Sequence, residues 1–165
     1  MLRNKYSFKK YSKKYSQYFQ KELKQLRIVF GAKAHIEHIG STSIPKLGGK
    51  GIVDVVVGVR TKDLERYIVP LEKADYIYRK CASSKERIFF RRDYQSLGKA
   101  RRVHVHLVKY NSKDWKEMIT FRDYLLSHPE EVKEYEQLKK EAAKKSKGDG
   151  TIYKRIKDQF ISKIL

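Results

Sequence analysis

The segment GIVDVVVGV, residues 51–59, limits the possible folds more than any other part of the chain. Apolar residues fill both of its alternating faces, which is typical of a strand in the centre of a sheet with layers packed on both sides. Asp54 lies within this run. A buried carboxylate without a cation or a basic partner costs several kcal/mol or stays protonated. The sequence therefore predicts a central strand whose one aspartate is either paired or functional.

Helix and strand patterns on either side of this segment predict the rest of the fold. A polar turn at 40–50 separates the central strand from a shorter strand candidate at 34–39. Further strands are predicted at 76–80, 87–93 and 101–110. Helices are predicted at 7–30, 61–76, 114–128, 129–146 and 151–165, and only 141–150 resembles a linker. This order predicts an α+β fold in one domain, 1–165, with a core sheet at about 34–110 and C-terminal helices at about 113–165.

Two local details follow from the same patterns. Thr61 is the expected N-cap of the second helix, and Pro70 inside that helix predicts a kink or an early end. In the last strand, His104 and His106 share one face, and the opposite face carries Val103 and Val105. The two imidazoles should therefore project from the same side of the sheet.

Charge and composition limit the partners and the cellular location that are expected for this protein. Thirty-nine Lys and Arg residues against nineteen Asp and Glu give a net charge of +20, which attracts polyphosphates, including nucleotides and nucleic acids. The basic residues are spread along the chain, so weak, non-specific nucleic-acid binding is the most that charge alone predicts. No apolar run reaches eighteen residues, so no membrane span is expected. The single cysteine, Cys81, excludes an internal disulfide and favours a reducing, cytoplasmic location.

The turn before the central strand has the composition of a phosphate-binding loop. Gly40 allows backbone N–H groups to approach a ligand, and the hydroxyls of Ser41 and Thr42 at the start of a short helix could donate hydrogen bonds to phosphate oxygens. Asp54 could hold the divalent cation that accompanies a nucleotide. The alternative is that Gly40 and Ser41 only turn the chain, and that Asp54 pairs with Lys50 or an arginine.

Four stretches together resemble a known family. EHIGSTSIPKLGGKGIVDVVVGV resembles the signature of the GrpB-like family, and VHVHLV, TFRDYLLSHPEEVKEYEQLKKEAA and GTIYKRIKDQFISKIL resemble its later motifs in the same order. The resemblance covers roughly residues 20–165. It implies the nucleotidyltransferase fold shared with DNA polymerase β: a mixed β-sheet with flanking helices and a helical C-terminal part. Lys46 and Gly51 depart from the family pattern, which usually has glycine and proline there.

The resemblance also implies a divalent metal site, which this sequence would fill only in part. The superfamily places two carboxylates at alternate positions on a strand after a Gly-Ser turn, and a third on a neighbouring strand. Asp54 matches the first position, Val56 occupies the second, and the neighbouring strand offers no acid. Nucleotidyl transfer with two Mg²⁺ or Mn²⁺ ions needs such carboxylates. Asp54, His104 and His106 could instead hold one transition metal as a catalytic or binding centre. The alternative is that both histidines are half-buried, hydrogen-bonded strand residues.

Other candidate ligand-binding residues lie at the turn and in the C-terminal helices. Lys50 could neutralise phosphate. Arg122 could grip a phosphate with two hydrogen bonds, or it could form an internal ion pair with Asp123 that braces the helices. Tyr153 and Lys157, one helical turn apart, should share a face; the alternative for them is ordinary packing and a solvated amine.

Three functions remain open from the sequence. The first is an enzyme of the nucleotidyltransferase fold that uses a nucleoside triphosphate, with an incomplete carboxylate set. The second is a module that binds a nucleotide, a coenzyme A-linked compound or another phosphate-containing small molecule without transfer chemistry. The third is a basic RNA-binding protein, which is supported only by charge and by the tyrosines.

Overall fold

A five-stranded mixed sheet forms the centre of the computed structural model, which describes residues 8–165. The strands are β1 (His35–Ile39), β2 (Val53–Val59), β3 (Ile77–Tyr78), β4 (Arg87–Ser96) and β5 (Lys99–Lys109). Their order across the sheet is β1-β2-β5-β4-β3. β2 and β5 pair in parallel, whereas the other neighbours pair antiparallel. The predicted α+β class, the mixed sheet and the central place of the apolar strand are confirmed.

Helices lie before, between and after these strands. They are α1 (Lys14–Phe30), α2 (Ile68–Lys73), α3 (Lys113–Ser127), α4 (Pro129–Ser146) and α5 (Gly150–Ile164). Short 3-10 turns occupy Ser41–Ser43, Glu65–Tyr67 and Lys80–Ala82. The three C-terminal helices begin and end within one residue of their predicted bounds. No helix in the described part of the chain is long and apolar enough to cross a membrane.

The first helix is shorter than predicted. Residue 7 lies outside the described residues, and α1 begins only at Lys14, where the Ser12 hydroxyl accepts a hydrogen bond from the Lys14 N–H. Upstream, Lys9 and Gly49 exchange two backbone hydrogen bonds of 2.6 and 2.9 Å. These bonds hold the chain extended against the turn, so the helical spacing of its tyrosines does not continue as a helix.

The segment 61–76 is also less helical than predicted. The Thr61 hydroxyl accepts a hydrogen bond from the Asp63 N–H at 3.1 Å, which closes a local turn and does not cap a helix. Helical structure covers only Glu65–Tyr67 and α2, in which Pro70 lies in the first turn and is tolerated there. At the other end of the chain, the linker-like residues 141–146 are helical because Ala142 and Ser146 are buried on α4.

The two faces of the sheet differ in chemistry. One face packs its alternating valines, including Val55 and Val57, against Tyr18 and Leu26 of α1 and Leu71 of α2. All five of these side chains are at most 5% exposed, so this face forms the main hydrophobic core. The opposite face carries polar and basic side chains on β2, β4 and β5, and the C-terminal helices lie over it.

A charged network is buried within the main core. Glu22 of α1 is 2% exposed and lies 3.2 Å from the Arg92 guanidinium of β4. The Tyr76 hydroxyl donates a short hydrogen bond to the same carboxylate. Arg92 also donates to Gln25 at 2.7 Å, and Gln25 in turn donates to the Ala74 carbonyl at 2.8 Å. The network ties α1 to the sheet and to the end of α2.

Candidate functional site

The polar face of the sheet brings the predicted centre together. Asp54, the second residue of β2, pairs in register with Ile39 at the end of β1 and with His104 on β5. Val56, two residues on, pairs with His106. Side chains in register or two residues apart share a face, so Asp54, His104 and His106 project from the same side. With Gly40 and Ser41 they line one cavity.

Asp54 is held by both imidazoles and by the turn. Its Oδ1 lies 3.4 Å from His104 Nδ1 and 3.5 Å from His106 Nε2, and its side chain is 25% exposed. Burial opposes ionisation, but the hydrogen bonds from the two histidines outweigh it and hold the pKa of Asp54 below its ordinary value. The carboxylate is therefore paired, by histidines and not by the lysine or arginine that the sequence suggested.

Gly40 is required by this carboxylate. Its backbone has φ 74° and ψ −177°, a region that is essentially restricted to glycine. A Cβ at this position would fall 2.5 Å from Asp54 Oδ2. The turn can approach the central strand this closely only because Gly40 has no side chain.

A cavity of about 620 Å³ opens between this face of the sheet and the C-terminal helices. Two carboxylates line it, those of Asp54 and Asp158, together with the two histidines. Nine basic residues line it as well: Lys50, Arg79, Arg87, Arg91, Arg102, Arg122, Lys139, Lys154 and Lys157. This excess of cations in a concave, partly apolar space attracts anionic ligands.

Some of these arginines already have carboxylate partners. Arg102 binds Asp93 with two hydrogen bonds of 2.8 and 3.1 Å, and these bonds raise the pKa of Arg102. Arg122 lies 2.7 Å from Glu37 on β1 and 3.0 Å from Asp123. The geometry at Arg122 thus agrees with the alternative in which Arg122 forms an internal ion pair with Asp123. The additional contact with Glu37 connects α3 to the sheet.

The two residues predicted to share a face of α5 do so. The Tyr153 ring is close to two amines, with Lys50 Nζ 4.7 Å and Lys157 Nζ 5.3 Å from its centroid. Burial lowers the pKa of Lys157, and the nearby charge of Asp54 partly opposes this shift. Tyr153 is 3% exposed, so it packs in the helical layer while its ring contacts both cations.

Lys139 is a cavity residue that the sequence analysis missed. It is 4% exposed, and burial, reinforced by the charge of Lys157, lowers its pKa well below the ordinary value. A sequence signal does exist, because Lys139 falls in the buried stripe of α4 between Tyr135 and Ala142. Lys139 occupies a position in that stripe where an apolar residue is expected. Because α4 contains many other lysines, the position of Lys139 in the stripe is difficult to recognise from the sequence.

Thr42 at the turn, its neighbour His38 and Tyr124 on α3 make contacts outside the cavity wall of the described residues. Thr42 is 2% exposed, its hydroxyl lies 2.9 Å from His38 Nε2, and among the described residues it is not part of the cavity wall. His38 stacks on Phe19 at 4.7 Å between ring centroids. Tyr124 donates a short hydrogen bond to Glu131. The hydroxyl of Thr42 is therefore already in contact with His38, and ligand binding by Thr42 stays a prediction.

The residues at Asp54 do not fit a two-metal centre. The second carboxylate position is Val56, which is fully buried and apolar, and β5 supplies imidazoles in place of an acid. Among residues 8–165, no group of three or more His, Cys, Asp or Glu side chains is arranged to hold a metal ion. Metal binding by Asp54, His104 and His106 stays a prediction that the geometry does not support.

A mixed five-stranded sheet with a Gly-Ser turn packed on its central strand defines a protein of the nucleotidyltransferase-like class. The sequence matches the family described as "GrpB protein" over residues 5–165, and the chain belongs to that family. The crystal structure of GrpB from Enterococcus faecalis superposes with a TM-score of 0.74 at 25% identity, covering 95% of this chain and 98% of that one.

Curated relatives show the same relationship. "Glutamate-rich protein GrpB" of Alkalihalophilus pseudofirmus is 36% identical over 160 residues, covering 94% of this chain and 91% of that protein. "UPF0157 protein YqkA" of Bacillus subtilis is 34% identical over 152 residues, which cover 92% of this chain. The aligned part is 43% of that protein's length, so the chain spans less than half of it.

Proposed function

We propose that this protein binds a nucleotide or a related phosphate-containing small molecule in the cavity between the sheet and the C-terminal helices. The observation that carries the proposal is the charge of the cavity wall, with nine basic residues against two carboxylates. A cavity of about 620 Å³ is within the range of small-molecule sites, about 300–1,000 Å³. Apolar side chains in the wall, including Met118 and Phe121, would suit the base of a nucleotide.

The proposal is binding without nucleotidyl transfer. Transfer in this superfamily depends on a carboxylate set that bridges two cations, and here Asp54 has no second acid beside it on β2 or β5. Its Oδ1 already has two imidazole neighbours. Asp54 instead orients His104 and His106 at the cavity wall, and it offsets part of the positive charge there.

A thermal-shift titration tests the proposal. ATP, ADP and coenzyme A should each raise the melting temperature, and adenosine, which has no phosphate, should raise it much less. At a ligand concentration one hundred times the Kd, stabilisation is about 2.7 kcal/mol, which corresponds to a shift of about 5–10 °C for a chain of this size. No shift with any phosphate compound, with or without Mg²⁺ or Mn²⁺, would reject the proposal.

Two variants and one control locate the site. Ser41→Ala and Lys50→Ala should weaken ATP binding because both residues line the cavity. Lys24→Ala removes the same charge as Lys50→Ala from an exposed position on α1, which packs on the opposite face of the sheet. Equal weakening by Lys24→Ala and Lys50→Ala would mean that net charge, and not this cavity, attracts the nucleotide.

A further inference from the structure

One buried stripe on α4 contains a charged residue. The buried members of this helix are Val132, Tyr135, Lys139, Ala142 and Ser146. Lys139 is 4% exposed, and a buried lysine is unfavourable unless its amine is paired or loses its proton. Its retention in an otherwise apolar and small-residue stripe points to a role for the amine.

The Lys139 amine lies at the cavity wall beneath the glycine turn. A Cβ built on Gly49 would fall 2.4 Å from Lys139 Nζ and 2.6 Å from Ser41 Oγ, so both polar atoms lie against the same bare Cα. Lys139 Nζ also lies 5.3 Å from the centroid of the Tyr135 ring. Within residues 8–165, no carboxylate comes within ion-pair distance of this amine.

Two more amines approach the same part of the cavity. The amines of Lys50 and Lys157 lie 4.7 and 5.3 Å from the centroid of the Tyr153 ring, and both residues line the cavity. Burial lowers the pKa of Lys139, and the charges of Lys157 and Lys50 add to that shift. Three amines that line one cavity suit an anion with several acceptor oxygens, which can accept a hydrogen bond from each of them. We refer to Ser41, Lys50, Lys139 and Lys157 as the amine cluster.

We propose that the amine cluster binds the terminal phosphate of the ligand, and that it thereby restricts the ligand to phosphomonoesters and compounds with a polyphosphate end. This inference rests on the proposed function. A terminal phosphate carries about −1.5 to −2 charges and three strong acceptor oxygens. Three amines and one hydroxyl match that set of acceptors, whereas a carboxylate would offer two oxygens and one charge.

Binding should be coupled to uptake of a proton. Burial lowers the pKa of Lys139, and the charges of Lys157 on α5 and Lys50 beside the turn lower it further. Asp54 on β2 and Glu136 on α4 act in the opposite direction. A phosphate dianion placed against the amine favours its charged form, so the pKa of Lys139 rises on binding. Between the two pKa values, each binding event takes up as much as one proton.

The test compares Lys139→Met with Lys140→Met by isothermal titration calorimetry of the full chain. Methionine conserves much of the volume of Lys139 and removes the buried charge, so Lys139→Met should fold and melt no lower than the wild type. Lys140→Met is the matched control, because it removes one charge from the next position of the same helix, where the amine lies 4.8 Å from the Phe8 ring centroid. The probes are ATP, inorganic tripolyphosphate and AMP, each titrated at several pH values from 7 to 10.

Lys139→Met should weaken ATP binding at least about tenfold, equivalent to about 1.4 kcal/mol, whereas Lys140→Met should stay within about twofold of the wild type. Titrations in HEPES and in Tris, which differ in ionisation enthalpy, should show proton uptake for the wild type and much less for Lys139→Met. Binding of tripolyphosphate alone would identify the polyphosphate end as sufficient. AMP binding that also depends on Lys139 would support the inclusion of phosphomonoesters among the ligands, and AMP binding that is independent of Lys139 would contradict it.

The outcomes separate this inference from the proposed function. Wild-type binding of ATP that Lys139→Met leaves unchanged, while Lys50→Ala weakens it, would overturn the role of Lys139 and leave the cavity as the nucleotide site. Absence of wild-type binding to all three probes would overturn both. Equal weakening by Lys139→Met and Lys140→Met would also overturn the inference, because only the net charge would then matter.

Discussion

Gly40 and Gly31 form a natural pair for measuring how tightly the turn is packed on Asp54. Gly40 has φ 74° and ψ −177°, and Gly31, at the end of α1, has φ 75° and ψ −175°. A residue with a Cβ in this region costs about 1–3 kcal/mol. Nothing lies within 4 Å of a Cβ built on Gly31, so Gly31→Ala measures the backbone cost alone.

Gly40→Ala adds a collision to the same backbone cost. The new methyl group would fall 2.5 Å from Asp54 Oδ2 and 3.0 Å from Asp54 Cβ. Asp54 must then shift away from His104 and His106, and losing one hydrogen bond to a charged group costs about 1.5–3 kcal/mol. We expect Gly40→Ala to destabilise the protein by about 1.5–3 kcal/mol more than Gly31→Ala.

Urea denaturation followed by circular dichroism measures the free energy of unfolding of both variants. In thermal denaturation, the additional loss of stability should lower the melting temperature of Gly40→Ala by about 3–12 °C relative to Gly31→Ala. In an Asp54→Ala background the extra cost should shrink, because the carboxylate oxygen is gone. Equal destabilisation by Gly31→Ala and Gly40→Ala would refute the close contact between the turn and the carboxylate.

Three further predictions concern other parts of the molecule. Arg92→Ala should destabilise the fold by about 3–5 kcal/mol in a denaturation experiment, because it leaves the buried Glu22 carboxylate without its cation; a loss below about 1 kcal/mol would contradict a stabilising role for this ion pair. Burial lowers the pKa of His38 from 6.5 to about 4, so the unfolded chain binds more protons than the folded one in that range. The wild type should therefore lose up to about 3 kcal/mol more than His38→Gln as the pH falls from 6.5 to 4, and parallel pH–stability curves would contradict this. Binding to single-stranded RNA or tRNA should be weak and should vanish near physiological salt, where five phosphate contacts would give a log–log slope of about −3.5; a submicromolar complex at about 150 mM salt that is lost on deleting residues 1–14 would favour RNA as the ligand.

The sequence predicts those parts of the fold in which the local hydrophobic periodicity agrees with the tertiary packing. The alternation in 101–110 predicts that His104 and His106 share one face, and the parallel pairing of β2 and β5 then places Asp54 in register with His104. The C-terminal helices follow from Pro129 at a first turn and from regular apolar spacing, so their bounds could be read almost to the residue. These features depend on periodicity, which a single chain displays directly.

Other features depend on contacts between distant segments. The exchange of hydrogen bonds between Lys9 and Gly49 replaces an expected helical turn, and no local pattern in either segment specifies that pairing. The role of Arg122 depends on Glu37, which lies 85 positions away in the chain. Lys139 is concealed among many solvent-exposed lysines, and only the packing of α4 shows that its amine is buried.

The parallel pairing of β2 with β5 also determines when the site can form during synthesis. Asp54 and His106 are 52 positions apart, and at about 5–20 residues per second β5 leaves the ribosome seconds after β2. Val55, Val56 and Val57 are fully buried in the finished fold, so until β5 arrives one edge of this very apolar strand has no partner. β1 precedes β2 in the chain and is therefore available to pair with the other edge as soon as β2 has been made. The nascent chain therefore passes through an interval in which edge-to-edge association is possible, and the cavity is completed only after the last helix has been made.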